Sequence, residues 1–409
     1  MANLAFWAFN SLRDARADEA VRSRTRKQSL DQDGCQTETV HLRLSRHQRD
    51  RDSEMRPLKD RGKPWTLRDV GSSYDYEKTV GEGVYGEVFQ ATEKYTKDAQ
   101  ALKRVKTDNA TEREGFPITA LREANVLKRL AHENVVTLHE VLTDGDGGVI
   151  SSFEFCAHDL AGLIESPKMN LLIKRPARVR SLARQLFAGI DHAHANGVLH
   201  RDIKAANLLV TKDGVLKIAD WGLARTYEKD SKLTNRVATL WYRAPELLLG
   251  ATRCSDGYGP ALDAWSCGCL VAELLRGAPI LPGNTEIEQV DLIFALCGSP
   301  SIESWPSGPN LPLWETFCEI EDGDEPAGKE RTLRERFSAF DAEALDLVDA
   351  ILQCDPSSRL SASDALQRPY CRDAPRPSEL EPLDGESSLE LEVRKRRREK
   401  KGSGEARKS

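Results

Sequence analysis

The chain has 409 residues, which is enough for one bilobal domain with tails or for two ordinary domains. Hydrophobic residues make up 39% of it and charged residues 30%, and no stretch of about twenty apolar residues occurs, so a folded protein is expected and a membrane span is excluded. The 59 lysines and arginines face 65 aspartates and glutamates, and the net charge of −6 argues against general nucleic-acid binding. Nine cysteines without a C-x-x-C pair indicate a reducing compartment and buried thiols.

Both ends of the chain are predicted to be disordered. Residues 1–73 are dense in Arg, Asp, Ser and Gln and have little hydrophobic periodicity. Residues 372–409 change from Pro, Glu and Ser to a basic run. The ordered domain is therefore predicted at 74–371, with an N-lobe at 74–156 and a C-lobe at 157–371.

Strand patterns come first along the ordered domain. Between 74 and 105 apolar residues alternate between Gly-rich turns, which predicts three antiparallel strands. Pro117 then opens a segment with one apolar face, which predicts a helix. A second hairpin is predicted from strands at 135–141 and 148–155.

Helical periodicity follows at 179–195, 263–275, 287–297 and 342–352. Strands first and helices later imply two lobes of different class. The predicted fold is α+β and bilobal, with a small antiparallel sheet plus one helix in the N-lobe and a larger, mainly helical C-lobe.

Three glycines, Gly81, Gly83 and Gly86, are spaced as G-x-G-x-x-G. Glycines at this spacing let backbone N–H groups approach phosphate oxygens with no Cβ in the way. A strand is predicted next, so the pattern does not fit a dinucleotide-binding βαβ unit, which needs a helix there. Lys103 in the following strand can pair with nucleotide phosphates, and Glu123 on the predicted helix can hold Lys103 extended.

The sequence HRDIKAAN at 200–207 supplies a carboxylate, then a lysine two residues later and an amide five residues later. Asp202 can orient or deprotonate a hydroxyl, Lys204 can neutralise charge on a phosphoryl group in transfer, and Asn207 can bind a metal. Asp220, in the sequence DWG, offers a carboxylate as a second metal ligand. The sequence APE at 244–246 closes the segment that begins at Asp220. These motifs in this order predict phosphoryl transfer from a nucleotide.

The motifs resemble those of protein kinases, and the resemblance covers about residues 76–371. FPITALRE at 116–123 resembles the cyclin-contacting helix signature of cyclin-dependent kinases. Its PITALRE part, FCAHDLAGL at 155–163 and LTNRVATLWYR at 233–243 resemble the transcription-elongation branch of that family. Trp221 departs from the family's usual Phe after the metal-binding Asp, but it still offers an apolar plug, so activity is expected.

The resemblance implies ATP and Mg2+ as cofactors. The implied catalytic residues are Asp202, Lys204, Lys103 and Glu123, and the implied metal ligands are Asn207 and Asp220. Phe153 would be the gatekeeper, and Glu154 to Cys156 would be the hinge that binds adenine through its backbone. The residues implied to contact the nucleotide are Gly81, Glu82, Gly83, Val84, Tyr85, Gly86, Val88, Ala101, Lys103, Phe153, Glu154, Phe155, Cys156, Asp159, Asn207 and Leu209.

The resemblance also implies a serine/threonine kinase whose substrate residue is followed by proline. In the family, the residue matching Ala238 is left-handed and its carbonyl is held by the residue matching Arg243, so a substrate N–H would find no acceptor there. Proline has no such N–H. The family's usual residue at this position is Val, and Ala adopts the left-handed conformation at a smaller cost.

Thr234 is predicted to be the activating phosphosite, since it lies five residues before Thr239 in the segment where the family carries its activating threonine. A separate activating kinase is thereby implied. The predicted receptor for the phosphate is a cluster of three arginines, Arg122, Arg201 and Arg225.

The implied partners follow from the same resemblance. A T-, L- or K-like cyclin would contact the helix between Pro117 and Glu123, and the substrate would be the C-terminal repeat of RNA polymerase II. Neither a membrane nor direct nucleic-acid binding is expected.

Several alternatives stay open at this point. The chain could instead be a cell-cycle kinase with another cyclin and substrate, or a pseudokinase scaffold. Tyr85 matches an inhibitory phosphotyrosine site of cell-cycle members, although its neighbour is Val84 instead of Thr. The basic run at 394–401 reads as a nuclear-import signal or as a solvated tail. The nucleus is the predicted location, with the cytoplasm as the alternative.

Overall fold

The computed structural model of the protein describes residues 68–83, 86–105, 118–145, 148–166, 169–227, 233–234, 237–318, 328–384 and 387–389. The predictions for Val84, Tyr85, Pro117 and the basic run at 394–401 lie outside these residues.

The N-lobe is an antiparallel sheet with one long helix. Its elements are α1 (Val70–Ser73), β1 (Tyr74–Gly83), β2 (Gly86–Glu93), β3 (Ala99–Val105), α2 (Ile118–Arg129), β4 (Leu138–Thr143) and β5 (Val149–Glu154). The strand order is β1-β2-β3-β5-β4. Alternation along β3 buries Gln100 and Leu102 in the lobe, which puts Lys103 on the opposite face of the strand.

Two boundaries in the N-lobe differ from the prediction. Residues 68–73 were expected in the disordered extension, but Asp69 caps α1 by accepting the Ser72 N–H over 2.9 Å, and the Thr143 N–H donates to the Arg68 carbonyl over 3.0 Å. Strand β4 begins at Leu138 instead of 135, because the preceding residues pair with the other lobe. The Val136 N–H donates to the carbonyl of Ile218 in the C-lobe over 3.0 Å.

The C-lobe is mainly helical. Its strands are β6 (His158–Asp159), β7 (Val198–Leu199), β8 (Leu208–Val210), β9 (Leu216–Ile218) and β10 (Arg225–Thr226). Its helices are α3 (Leu160–Glu165), α4 (Met169–Ile173), α5 (Pro176–Ala195), α6 (Pro245–Leu248), α7 (Pro260–Arg276), α8 (Glu286–Cys297), α9 (Trp314–Cys318), α10 (Leu333–Arg336), α11 (Ala342–Ile351), α12 (Ala362–Gln367) and α13 (Pro369–Arg372).

The bilobal α+β architecture predicted from the sequence is confirmed. The four predicted helices correspond to α5, α7, α8 and α11, and their ends differ from the predicted ends by at most three residues. Helices α5 and α7 pack against each other at the centre of the lobe, and most of α7 is buried, including Trp265. Within the described ranges, no helix is long and apolar enough to cross a membrane.

The segment after α13 was predicted to be disordered, and this is wrong for the part that the structure describes. Residues 376–384 and 387–389, here called the strap, lie along the C-lobe next to β6. Leu383 is fully buried, and the ring of His158 hydrogen-bonds its carbonyl over 3.1 Å. The Ser388 N–H donates to the Ala157 carbonyl over 3.2 Å. The buried side chains of Leu383 and Leu389 and these hydrogen bonds hold the strap on the C-lobe, although its composition is polar.

Candidate active site

Lys103 on β3 joins three elements. Its Nζ donates to Glu123 Oε1 and Oε2 on α2, each over 3.1 Å, and to Asp220 Oδ1 after β9 over 2.8 Å. The Lys103 side chain is 15% exposed and that of Glu123 is 6% exposed. The predicted Lys103–Glu123 pair is therefore formed in the structure, and Asp220 is brought to the same point.

The opposite charges of Lys103 and its two carboxylate partners shift one another's pKa values. Burial acts to lower the pKa of Lys103, but the carboxylates of Glu123 and Asp220 outweigh it, so the pKa lies above the usual lysine value. Burial acts to raise the pKa of Asp220, but Lys103 outweighs it and the net shift is downward. Burial also raises the pKa of Glu123, against the opposing charge of Lys103. One cation thus serves two carboxylates.

The second cluster surrounds Asp202, which is buried. Lys204 Nζ donates to Asp202 Oδ2 over 2.8 Å, and Asn207 Nδ2 donates to the same oxygen over 3.1 Å. The backbone N–H and the hydroxyl of Thr239 both donate to Oδ1, over 3.1 and 3.0 Å. Donors on both oxygens stabilise the carboxylate and fix its orientation.

A backbone hydrogen bond links the two clusters. The N–H of Ala219, the residue before Asp220, donates to the Asn207 carbonyl over 2.9 Å. The two predicted metal ligands therefore sit on neighbouring, hydrogen-bonded segments, as a shared cation would require.

Asp263 at the start of α7 supports the loop that carries Asp202, and sequence analysis did not single it out. Its carboxylate accepts the backbone N–H groups of His200 and Arg201, each over 2.8 Å, and contacts His194 Nε2 over 3.0 Å. Burial acts to raise its pKa, but these partners outweigh it and the pKa is lowered. The available signal was an acidic residue at the start of a segment of mainly apolar periodicity.

Glu246 in the sequence APE has a partner that sequence analysis also missed. Arg359 Nη1 and Nη2 donate to Glu246 Oε1 and Oε2, each over 2.9 Å, and neither side chain is exposed. This bidentate pair fixes the end of the segment between Asp220 and Glu246, here called the activation segment, on the C-lobe.

Trp221 fills the position where the resemblance expects Phe. Its side chain is fully buried, and its ring meets the ring of His200 edge-on with centroids 4.5 Å apart. Its Nε1–H also donates to the Ile218 carbonyl over 3.0 Å, a bond that Phe cannot make. Trp221 is therefore tied in place by a hydrogen bond as well as by packing.

Among the predicted phosphate-loop glycines, Gly86 has a structural requirement of its own. Its φ is +156°, and a Cβ there would lie 2.0 Å from the Arg104 carbonyl oxygen on β3. The close approach of β2 to β3 therefore excludes any side chain at Gly86. Gly81 lies opposite Val88 in the β1–β2 pair. Glu82 and Gly83 are in β1, and the side chain of Glu82 is outside the description.

The predicted gatekeeper and hinge lie at the end of β5. Phe153 on β5 is buried and lies opposite Ala101 on the neighbouring strand β3. Glu154 is held on two sides, since its Oε1 accepts the Thr137 N–H over 2.7 Å and lies 3.0 Å from Lys217 Nζ. These contacts give the start of the hinge a fixed position.

The remaining predicted nucleotide residues lie on the C-lobe side of the hinge. Burial raises the pKa of the Cys156 thiol to about 12, so the thiol is neutral at ordinary pH. Leu209 on β8 pairs with Asp159 on β6. The Asp159 carboxylate accepts the Gly162 N–H over 2.6 Å and so caps α3. Asp159 thus has a structural role that the sequence prediction did not include.

The three predicted arginines lie close together. Burial and the positive charges of Arg122 and Arg201 lower the pKa of Arg225 to about 10, and burial and Arg201 lower that of Arg122. Arg201 Nη1 donates to the Tyr258 hydroxyl over 2.9 Å, and that hydroxyl donates to the Thr234 carbonyl over 3.0 Å. Thr234 is exposed and is linked to the cluster through Tyr258.

The backbone near Thr239 has the geometry expected of the +1 pocket. Ala238 has φ +64°, in the left-handed region, and Arg243 Nη2 donates to its carbonyl over 3.1 Å. Both features were predicted from the sequence by resemblance.

Comparisons with known proteins agree with this geometry. The family model of the protein kinase domain matches residues 74–371. Cyclin-dependent kinase C-1 of Arabidopsis thaliana is 44% identical over 352 residues, which is 81% of this chain and 66% of the relative. Cyclin-dependent kinase 9 of Homo sapiens is 42% identical over 327 residues, which is 76% of this chain and 84% of the relative. The chain spans about two thirds of the length of the plant relatives it matches.

One solved structure that resembles the chain is the yeast RNA Pol II CTD kinase CTDK-1 complex. It matches with a TM-score of 0.67 and 36% identity, over 78% of this chain and 98% of that chain.

Proposed function

Because the chain belongs to the cyclin-dependent kinase family of protein kinases, we propose that it transfers the γ-phosphoryl group of ATP to a serine or threonine followed by proline. The observation that carries this proposal is that Lys103, Glu123 and Asp220 meet at one point while Asp202, Lys204 and Asn207 meet at another. The Asn207–Ala219 hydrogen bond joins the two clusters. An intact set of this kind argues against a pseudokinase scaffold.

The family implies ATP and a divalent metal, and we assign the metal as Mg2+. The asparagine and aspartate oxygens of Asn207 and Asp220 are the hard ligands that Mg2+ prefers. Lys103 and Lys204 supply two positive charges against the three carboxylates of Glu123, Asp220 and Asp202, so a cation suits the charge balance. When bound, Mg2+ would neutralise charge on the phosphates.

The chain's own residues supply orientation and charge. Lys103, held by Glu123, pairs with phosphate oxygens of the nucleotide. Asp202 accepts the hydrogen bond of the substrate hydroxyl and takes its proton as the oxygen attacks phosphorus. Lys204, 2.8 Å from Asp202, stabilises the charge on the phosphoryl group during transfer.

Selectivity for proline follows from the +1 pocket. The Ala238 carbonyl is turned toward Arg243, so a substrate N–H at the +1 position has no acceptor. An unpaired buried N–H costs about 1–3 kcal/mol, which proline avoids.

We assign the C-terminal repeat of RNA polymerase II as the substrate and a T-, L- or K-like cyclin as the partner. The names of the relatives and of the yeast CTD kinase complex support this assignment. The cyclin would contact α2 near its first turn, where Leu121 is exposed. Because the proposed substrate is a nuclear enzyme, we also propose that the protein acts in the nucleus. Thr234 would receive its phosphate from a separate activating kinase.

The test is affinity purification of the full chain with its partner, followed by phosphorylation of a repeat peptide and of matched peptides with single Ser→Ala changes. We expect an elongation-type cyclin to co-purify and the complex to be far more active than the chain alone. A cell-cycle cyclin in its place would support the cell-cycle alternative. ATP binding without phosphotransfer in the complex would support the pseudokinase alternative.

A further inference from the structure

The carboxylate of Glu286 contacts the arginine that shapes the +1 pocket. Arg243 Nη1 donates to Glu286 Oε1 over 2.6 Å, while Nη2 of the same guanidinium donates to the Ala238 carbonyl over 3.1 Å. The Arg243 side chain is 14% exposed, and its buried Nε has no hydrogen-bond partner among the described residues. Among the described residues, Glu286 is the carboxylate that pairs with Arg243.

The Ala238 peptide needs such a hold. Its φ of +64° lies in the left-handed region, which L-residues other than Asn and Asp seldom adopt. If Arg243 moved away, the backbone at Ala238 could relax to an ordinary conformation and turn its carbonyl. The carbonyl could then accept a hydrogen bond from a substrate N–H.

Glu286 is itself held at the start of α8. It is the first residue of the helix, where the positive end of the helix dipole favours a carboxylate, and Thr285 caps the helix. The loop before α8 is tied to the activation segment, because Trp241 Nε1 donates to the Gly283 carbonyl over 2.9 Å. The helix start and the +1 pocket therefore form one hydrogen-bonded unit.

We infer that Glu286 is a positioning residue for proline selectivity, since it orients Arg243 so that the Ala238 carbonyl stays turned away from the substrate. The inference rests on the proposed proline-directed activity. Loss of Glu286 should leave Ser-Pro substrates nearly unaffected, because proline has no N–H that needs an acceptor. Ser-Ala substrates should gain activity, because their N–H gains one. A merely structural role would lower activity on both.

The test compares two peptides that are identical except for Pro or Ala at the +1 position, with the full chain and its cyclin as the enzyme. Glu286→Gln should raise kcat/KM for the Ala peptide and leave that for the Pro peptide nearly unchanged. The Pro/Ala ratio should fall by at most about fivefold, equivalent to about 1 kcal/mol, since the Glu286 side chain is 56% exposed. Glu286→Asp keeps the charge and should retain most of the ratio.

Asp291→Asn is the matched control. It removes a carboxylate from the same helix, where Asp291 is 68% exposed and pairs with Lys329 instead of Arg243. Its Pro/Ala ratio should equal that of the wild type. Salt gives a second readout, because screening should lower the wild-type ratio and leave that of Glu286→Gln unchanged.

The possible failures can be told apart. A wild-type preference for proline that Glu286→Gln does not change, or a parallel loss of activity on both peptides, overturns the role of Glu286 alone. A wild-type complex with no preference for proline overturns the proposed function, and the role of Glu286 with it.

Discussion

Both carboxylate oxygens of Asp202 accept hydrogen bonds, and replacing Asp202 by Asn tests whether this carboxylate is the catalytic base. Asp202→Asn should lower phosphotransfer by about 10²–10⁴-fold, the usual size of a general-base contribution. The change removes the base that accepts the hydroxyl proton, and in either orientation of the amide its NH2 group faces donors, those of Lys204 and Asn207 or those of Thr239. Binding of Mg-ATP, measured by titration, should persist.

Thr239→Ser is the control for this prediction, because serine keeps the hydroxyl that donates to Asp202 Oδ1. It should retain most of the activity. Near-normal turnover in Asp202→Asn would contradict the assignment of the catalytic base.

Lys103 is expected to stabilise the fold in addition to its proposed role in binding the nucleotide. Lys103→Met leaves Glu123, which is 6% exposed, without its cation, so both activity and stability should fall. Removing one partner of a buried ion pair costs about 3–5 kcal/mol, and partial exposure of Lys103 favours the lower end, about 3 kcal/mol. Thermal unfolding and a kinase assay measure the two effects separately.

The double variant Lys103→Met/Glu123→Gln separates structure from chemistry. It removes the unpaired charge of Glu123, the more deeply buried of the two carboxylates that Lys103 pairs with, so it should regain part of the stability and none of the activity. An unfolding temperature for Lys103→Met equal to that of the wild type would mean that the pair contributes nothing to the fold.

At the scale of elements, the strap depends on the protonation of one histidine. Nδ1 of His158 accepts the Ser388 N–H over 3.3 Å, and its Nε2 faces the Leu383 carbonyl over 3.1 Å, so the ring is neutral with its proton on Nε2. Burial lowers the pKa of His158 below its usual value. The neutral ring therefore stabilises the strap above the unfolded pKa of about 6.5, and this stabilisation is lost as the pH falls through the folded pKa.

We expect the strap to detach in mild acid. Amide hydrogen exchange at Leu383 and Ser388, corrected for intrinsic rates, should lose protection between about pH 7.5 and about pH 5.5. His158→Gln can make similar hydrogen bonds without titrating, so its protection should not depend on pH. Equal protection of the wild type at both pH values would rule out this role of His158.

How much could be predicted from the sequence depends on how local each feature is. Asp202, Lys204 and Asn207 lie within six residues, and phosphoryl transfer requires them in that order, so a short motif was sufficient. Asp263 acts on the backbone of Arg201 from 62 residues away, and no local pattern marks that contact. Gly86 matched the motif, but its requirement comes from the Arg104 carbonyl on a neighbouring strand.

The strap could not be predicted for a related reason. Its sequence is polar and contains two prolines, which is typical of disorder, and Leu383 and Leu389 are the buried apolar side chains among its described residues. The folded C-lobe provides its binding surface: the Leu383 side chain joins the C-lobe core, and the Leu383 backbone hydrogen-bonds the His158 ring and the Lys212 carbonyl. Composition measures how much a segment can bury and does not reveal a site already prepared for it.

At the scale of the whole molecule, the two lobes are joined where α2 meets β4. The Ile218 N–H donates to the Asn134 carbonyl over 2.9 Å, and Arg129 Nη2 donates to the Asn196 carbonyl over 3.0 Å. These bonds fix the last turn of α2 and the loop after it to the C-lobe. A cyclin at the first turn of α2 would therefore act on the opposite end of a helix that is tethered at its last turn, and Glu123 lies between the two ends.

Thr234 should control the arrangement of both lobes through the arginine cluster. Arg122 belongs to α2, Arg201 to the catalytic loop and Arg225 to β10, so the cluster joins three parts of the chain. Burial, and after it the positive charges of Arg122 and Arg201, lower the pKa of Arg225 to about 10. A phosphate on Thr234, with a charge of about −2 and three acceptor oxygens, would turn the repulsion among these charges into attraction.

Thr234→Ala should therefore lower activity on the order of a hundredfold, as misplaced catalytic groups do, while ATP still binds. Thr234→Glu should restore little, because a carboxylate carries about half the charge of a phosphate and has a different shape. Thr226→Ala, which removes another exposed threonine of the same segment, should leave activity intact. The measurement is phosphotransfer by the full chain with its cyclin, together with intact-mass and peptide mapping. An active enzyme that carries no phosphate on Thr234 would contradict this role of Thr234 and the arginine cluster.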